Sequence, residues 1–448
     1  MNQSDTIVAC ATPAGYSSIA VVRLSGEQAI PFAQNIFRFP GRAAGFDSHH
    51  TYYGEVVDPK TSDPIDTVLL TVFKKPNSYT GEDVIELSCH GNPLIVDRII
   101  RIMFDLGARS ARRGEFTRRA LLNGKIDLIQ AEAVLDTVYA SCEAARKMAL
   151  LQYEGKLSEQ IYEIRSRIVD LLFLVEAEID FPDDEGTLYD KQRFNGDLRV
   201  MIADVDELLK GASAGVKIKE GYRILILGRA NVGKSTLFNK LLGHDRAIVH
   251  EEPGTTRDFL EEGVQLGSIY ARLFDTAGVL REASGADVIA QQRTKSLIEN
   301  ADLILLLFDC SESMNQEDVY LYDLVKHKRK LLVLNKIDLN IRLTNAQVLS
   351  DSTKISAKTG KNVDTLTHDI CRSLLPGKPG ENVLITRHRH IDALTRARTF
   401  LLNAVNAPTT ETIAYELHCA LNEIGELTGR VLREEILDRI FDAFCIGK

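Results

Sequence analysis

Three textures of hydrophobic and polar positions follow one another along the chain. Up to residue 118, short alternating runs (19–23, 68–73 and 84–89) are separated by turn residues and one amphipathic stretch over 94–106. That pattern predicts an α+β region. From about residue 120 the period lengthens. Ile161, Ile164, Ile168, Leu171, Val175 and Ile179 recur at three- and four-residue spacing, the wide apolar stripe of one helix. Asp180-Phe181-Pro182 ends it, because proline disfavours helical geometry in the residue before it. Residues 221–376 then alternate strand-like runs (223–227, 271–274, 304–308, 331–334 and 354–355) with helical stretches, the pattern of a parallel sheet covered on both faces. Pro376-Gly377-Lys378-Pro379-Gly380 reads as a linker, and 391–448 is helical again.

A chain of 448 residues is too long for a single core. The expected fold class is multidomain. An α+β N-terminal domain covers 1–118, an α-helical domain is split into 119–217 and 379–448, and an α/β P-loop domain of Ras-like type is inserted over 218–378. In the simplest arrangement the two helical parts pack across the insertion.

Composition, at 44% hydrophobic and 26% charged residues, is that of a globular protein. The longest apolar runs, such as 303–308, are too short to span a bilayer. The opening residues Asn2, Gln3, Ser4 and Asp5 carry no basic segment of a signal peptide. Seven scattered cysteines with no CxxC pair fit a reducing compartment, so the expectation is a cytoplasmic chain away from membranes. A net charge of −9 argues against a broad electrostatic grip on nucleic acid. Two local basic runs, Arg109 to Arg119 and Arg387 to His390, read as solvated faces.

The chemistry concentrates in the α/β region. Gly228-Arg229-Ala230-Asn231-Val232-Gly233-Lys234-Ser235 is GxxxxGKS, directly after a strand and before a helix, with Thr236 next in line. Such a loop turns successive backbone N–H groups toward phosphates, and the helix N-terminus adds a favourable dipole. Lys234 would reach the outer phosphates and the Ser235 hydroxyl would ligate magnesium. Asp275-Thr276-Ala277-Gly278 follows the next predicted strand; there Asp275 would hold magnesium through water and the Gly278 N–H would sense the γ-phosphate. Asn335-Lys336-Ile337-Asp338 follows another, and Ser356-Ala357-Lys358 the last. An Asp338 carboxylate can accept both N1–H and the exocyclic amine of guanine, whereas adenine would leave a buried carboxylate unpaired. A backbone N–H in the last motif can serve guanine O6. The set points to GTP over ATP. In Gly254-Thr255-Thr256-Arg257-Asp258, Thr256 is the candidate for magnesium and the γ-phosphate, with local order dependent on that phosphate.

With these motifs the G region resembles the TrmE–Era class of GTPases, and the whole chain resembles the bacterial MnmE (TrmE) family of tRNA-modification GTPases. Outside the G region the likeness rests on Ser78-Tyr79-Thr80-Gly81-Glu82-Asp83, Cys89-His90-Gly91, Gly114-Glu115-Phe116-Thr117 and Leu122-Asn123-Gly124-Lys125-Ile126-Asp127-Leu128. Ile179-Asp180-Phe181-Pro182 and Phe444-Cys445-Ile446-Gly447-Lys448 complete it. The resemblance implies a homodimer built on an N-terminal domain that binds a tetrahydrofolate derivative (5-formyl or methylene form) and a flavoprotein partner, MnmG (GidA). The reaction it implies is modification of the wobble uridine of certain tRNAs at carbon five, adding an aminomethyl or carboxymethylaminomethyl group. It places folate on Arg23, Glu82, Lys125 and Lys448, and marks Cys445, whose alternative reading is a small buried hydrophobe.

The same resemblance implies potassium on Asn231, His250, Glu252 and Thr255. Such an ion would neutralise transition-state charge as an arginine finger does, with Glu251 and Pro253 also lining the nucleotide. Two departures stand out. Ala230 replaces a proline common in this loop. The stretch after Gly278 is one residue longer than the family's, with Ala290 in place of a glycine. The family's water-orienting glutamate then falls on Asp287, with Glu282 as the alternative. The competing reading is a ribosome-assembly GTPase switch of the Era or Der type. Those chains put the G domain first or duplicate it, whereas here about 220 residues precede it.

Overall fold

The computed structural model describes residues 5–39, 45–180, 191–243, 261–275, 295–375, 385–431 and 434–448. By compactness the chain forms two units, one of 1–135 with 425–448, the other of 136–424. Compactness thus divides the chain near 135 and 424, whereas the sequence textures change near 118 and 378.

The first unit is built on a seven-stranded sheet in the order β3-β4-β5-β6-β2-β1-β7. Its strands are β1 (Ile7–Cys10), β2 (Ser17–Ser25), β3 (Phe37–Arg38), β4 (His50–Val57), β5 (Pro64–Phe73), β6 (Val84–Gly91) and β7 (Arg109–Ser110). Pairing is antiparallel except between β1 and β7. Side chains alternate faces along a strand, so Val68, Leu70 and Val72 of β5 point into the core while Leu69 is exposed. Helices α1 (Ala29–Ile36) and α2 (Pro93–Asp105) cover the apolar face, burying Phe32, Ile36, Ile99 and Met103 among Val22, Leu24, Leu70 and Leu87. Asn92 starts α2 by accepting from the Leu94 N–H at 3.0 Å, with Pro93 pre-set for the first turn. Helices α3 (Glu115–Leu122) and α4 (Leu128–Val138) follow. Leu121 and Leu128 bury Leu437 and Phe441 of the helix Glu434–Asp442, together with Phe444. The segment 444–448, read from its pattern as helical, is instead irregular and lies along the start of α3, with an isolated antiparallel bridge between Arg113 and Ile446.

The second unit combines long helices with a second sheet. Helices α5 (Glu143–Tyr153), α6 (Lys156–Asp180) and α7 (Lys191–Glu220) come first. The predicted stripe on α6 is buried from Ile161 to Val175, while Ile179 near its end is 36% exposed. After the sheet, the helix His388–Asn406 returns to α7 through an Arg398–Asp206 ion pair, so helical elements from both sides of the insertion do meet.

The sheet has the order β13-β12-β11-β8-β10-β9. Its strands are β8 (Tyr222–Leu227), β9 (Glu261–Leu266), β10 (Ile269–Asp275), β11 (Leu303–Asp309), β12 (Lys330–Asn335) and β13 (Ser352–Lys354). All five expected strands are present. β9 is an additional antiparallel edge strand on β10, with Glu261 and Glu262 at its exposed start. β11 is buried along its whole length, as a central parallel strand requires. From β8 the chain builds outward to β10 on one side and to β11 on the other, so the sheet's switch point lies at the carboxyl end of β8. None of the seven cysteines, each among the described residues, forms a disulfide. No described helix is long and apolar enough to cross a membrane.

Candidate functional site

At the switch point, β8 runs into the loop 228–233 and then into α8 (Lys234–Leu242). Gly233 sits before that helix at φ +102°, and a Cβ there would lie 2.3 Å from the Asn335 Nδ2, so no other residue fits. Lys234 is only 6% exposed, and its ammonium donates to the carbonyls of Gly228 (2.7 Å) and Arg229 (2.8 Å), spanning the loop. Burial depresses its pKa, because the charged form is poorly hydrated there, although Asp275 counters part of the effect. An anion received by the loop would favour the charged form. The Ser235 hydroxyl donates to Asp275 Oδ2 at 2.8 Å, bringing together the two side chains expected to share magnesium. Asn231 adopts φ +61° in the middle of the loop, and Thr236 is exposed on the first turn of α8.

The base-reading motifs are joined to the phosphate loop by one side chain. Asn335 donates from Nδ2 to the Val232 carbonyl at 2.8 Å and accepts on Oδ1 from the Ala357 N–H at 2.9 Å. Three motifs spread over residues 232–357 are therefore held by one amide. Asp338 accepts from the Ser356 hydroxyl at 2.6 Å, and that hydrogen bond holds its carboxyl below the usual aspartate range. Asp338 is exposed, which corrects the assumption of a buried carboxylate: discrimination against adenine has to draw its desolvation from the bound nucleotide. Lys336 adopts φ +67° and pairs with Asp309 at 2.5 Å, while Lys358 is exposed. His250, Glu251, Glu252, Pro253, Gly254, Thr255 and Thr256 lie outside the described residues, as do Thr276, Ala277, Gly278, Glu282 and Asp287.

In the first unit, Arg23 pairs with Glu86 at 2.7 Å, donates to the Gly447 carbonyl at 3.2 Å and lies over the Phe116 ring. The Phe116 N–H donates to the Lys448 carbonyl, so the 444–448 segment brings Lys448 beside Arg23. Burial first, and Arg23 as well, lower the Lys448 pKa. Glu82 lies near the same strand, accepting from Ser25 at 2.6 Å and from Arg119 at 3.0 Å. The Lys125 side chain packs against Gly81, the residue before Glu82. It donates to the Pro76 carbonyl and lines a cleft of about 550 Å³ with His49, Phe73, Asn77, Ser78 and Tyr79. Cys445 is exposed, so the buried-hydrophobe reading of it is withdrawn.

The arginine run 109–119 is likewise not a solvated face. Arg109 bonds Asp5 and Glu115, and Arg119 bonds Asp5, Glu82 and Glu115, in a ring where Glu115 and Arg119 are almost fully buried. Arg118 pairs with Asp438, and Arg113 donates to the Phe444 carbonyl. Only Arg112 and Arg113 of the run are exposed. Of the second run, Arg387 pairs with Asp136 and His390 is buried. Apart from Glu115, which lies four residues before Arg119, these partners are distant in sequence, and no local signal could have identified them.

The comparisons with known proteins show the family. The family model for the GTP-binding protein TrmE N-terminus matches residues 6–125, and that for the MnmE helical domain matches 128–445. The tRNA modification GTPase MnmE of Syntrophotalea carbinolica is 40% identical over the whole of both chains. Those of Geobacter metallireducens, at 39% over the whole of both, and Natranaerobius thermophilus, at 38% over 99% of both, are similar. Among solved structures, Aquifex aeolicus Era bound to GDP.AlF4- is 27% identical over 40% of this chain and 66% of its own, with a TM-score of only 0.26. End-to-end identity at this level, on a chain that also carries the motifs of the G site, leaves the Era or Der reading without support: this chain belongs to the family of the tRNA modification GTPase MnmE.

Proposed function

We propose that the chain hydrolyses GTP at the carboxyl end of the second sheet to drive modification of the wobble uridine of certain tRNAs at carbon five. The observation that carries the reading is the convergence of Lys234, the Ser235–Asp275 pair and the Asn335 bridge on one end of four adjacent strands. Ser235 and Asp275 offer hard oxygen ligands of the kind magnesium takes, and Thr256 would join them. Magnesium held by these oxygens would supply positive charge against the nucleotide's phosphates. The protein's own contributions are positional: Lys234 meets the outer phosphates, the 231–236 backbone cradles them, Asp338 reads the guanine edge, and a backbone N–H of the 356–358 motif serves O6. Asp287, or Glu282 in its place, orients the attacking water.

Potassium on Asn231, with His250, Glu252 and Thr255, is the further element of the reading. In the first unit, Arg23 and Lys448 form a cationic pair suited to the glutamate tail of a tetrahydrofolate, with Lys125 as the alternative cation for that tail, Glu82 as the carboxylate for the pterin amide and Cys445 exposed nearby in sequence. Glu82 already accepts from Ser25 and Arg119, so a pterin amide would share an occupied carboxylate. The homodimer, the flavoprotein partner MnmG and the cytoplasmic location complete the proposal.

The test is single-turnover GTP hydrolysis in potassium and in sodium. Turnover is expected to be faster in potassium, and Asn231→Ala is expected to flatten the difference while GTP binding persists. Equal rates in both salts for the parent protein would overturn the potassium assignment, and failure to bind GTP would overturn the site itself.

A further inference from the structure

The segment after β11, residues 309–318, carries three acidic side chains that meet cations of two different motifs. Asp309 pairs with Lys336 of the base-reading loop at 2.5 Å, and its other oxygen accepts from the Ser311 N–H and hydroxyl. Glu312 pairs with Arg229 of the phosphate loop at 2.5 Å. Asp318, whose side chain is 5% exposed, lies 3.4 Å from the Arg229 Nε. Neither that Nε nor the Asp318 Oδ1 has a hydrogen-bond partner among the described residues, so charge attraction in a poorly hydrated site holds this pair. The segment has little freedom of its own. Asn315 and Asp318 form a reciprocal capping box on the helix Gln316–Leu324, and the Cys310 Sγ contacts the Lys336 carbonyl at 3.0 Å.

These contacts close a ring. The Arg229 carbonyl accepts from Lys234, the Arg229 side chain is held by 312 and 318, Asp309 at the other end of that segment holds Lys336, and its neighbour Asn335 returns to the Val232 carbonyl. We propose that the 309–318 segment is a brace that sets the phosphate loop and the base-reading loop in a single register, with Arg229 and Asp309 as positioning residues for guanine-nucleotide binding. The inference rests on the reading of this site as a GTP site. Neither residue is required to touch nucleotide. Arg229 acts through its own carbonyl on Lys234, and Asp309 acts through Lys336 on the loop that bears Asp338.

Two cations held by one rigid segment are not independent: once one end is released, the other no longer transmits a register. The test is the dissociation rate of fluorescent GDP from the full chain with magnesium. Arg229→Ala and Asp309→Asn are each expected to speed release about tenfold, and the double variant no more than about twentyfold instead of the product of about a hundredfold. Arg229→Lys, which keeps a cation for Glu312 and Asp318, is expected to stay within about threefold of the parent. Glu312 is well exposed, so Glu312→Gln tests the brace without threatening the fold, and it too is expected to speed release about threefold. Parental rates in all variants, an Arg229→Lys as fast as Arg229→Ala, or fully multiplicative effects in the double variant would each overturn the brace alone. A parent chain that binds no GDP would overturn the site reading and the brace together.

Discussion

The two units assemble their candidate sites in opposite ways. In the second, contiguous motifs sit on loops that leave the carboxyl ends of adjacent parallel strands, and main-chain groups do most of the positioning: Gly233, the carbonyls of 228, 229 and 232, and the Ala357 N–H. In the first, single side chains are drawn from far-apart segments. Arg23 and Gly447 are 424 positions apart, and Glu82 is set by Arg119 in a ring of five charged groups with Asp5, Arg109 and Glu115, of which Arg119 and Glu115 are buried. A backbone-built site tolerates change in its surroundings and fails when a motif residue changes. A side-chain-built site inverts this, because a buried ion ring that loses one member leaves the rest uncompensated.

That contrast is open to test. The largest expected effect is at a motif residue. Asp338→Asn should weaken GTP binding on the order of a thousandfold and raise preference for XTP, whose carbon-two oxygen needs a donor. Competition of the two nucleotides against a fluorescent analogue reads it, and unchanged GTP preference would remove Asp338 from base recognition.

Next comes the ion ring. Arg119→Met should destabilise the first unit by about 3–5 kcal/mol while leaving the second near its parental stability. Scanning calorimetry that resolves the two transitions would show a single shifted one. Equal shifts of both would mean that the ring is not a local device.

A smaller effect is expected at Gly447. It adopts φ +98°, and a Cβ there would lie 2.4 Å from the Cys10 carbonyl oxygen. Gly447→Ala should cost about 1–3 kcal/mol, paid mainly by release of the 444–448 segment. Carboxypeptidase should then remove Lys448 faster than from the parent, while GTP turnover without folate stays as it was. Parental trimming rates would show that the segment accommodates the methyl group in place.

The smallest effect is a pH dependence. Burial by itself raises the Asp5 and Glu115 carboxyls, but hydrogen bonds from Arg109, with Arg119 on Asp5 and the Arg112 N–H on Glu115, leave both below their usual values. Carboxyls lowered in the folded state contribute stability that is complete above the usual glutamate value of 4.5 and is lost as pH falls through the lowered values. The first unit's melting temperature should therefore drop below pH 4.5, and the drop should shrink in Arg109→Gln. An identical pH slope in that variant would place the acid sensitivity elsewhere.

Much of the second unit was legible because its signals are local. Five apolar runs marked the strands, and the Gly-rich loop after the first located the switch point. The edge strand β9 was missed, since its start, Glu261-Glu262-Gly263, is polar and pairs on one side only. In the first unit the runs at 68–73 and 84–89 marked β5 and β6. The arginine run was misread as solvated, because charge spacing along a helix does not reveal which acids lie opposite. Cys445 and Asp338 turned out exposed for a similar reason: burial depends on neighbours that local sequence does not name.

By itself, the sequence determined where phosphate, magnesium and guanine can be met, since a loop, its helix and a strand end are short-range structures dictated by a few adjacent residues. It also determined the family, through motifs spread from Ser78 to Lys448. Only the tertiary structure decided which charges are spent on one another: Arg119 on Glu82 and Asp5, Arg229 on Glu312 and Asp318, Lys336 on Asp309. Local geometry follows from bond rotations and hydrogen bonds within a few residues. Ion pairing across the fold follows from packing, which brings together groups tens to hundreds of positions apart and sets how much water remains between them.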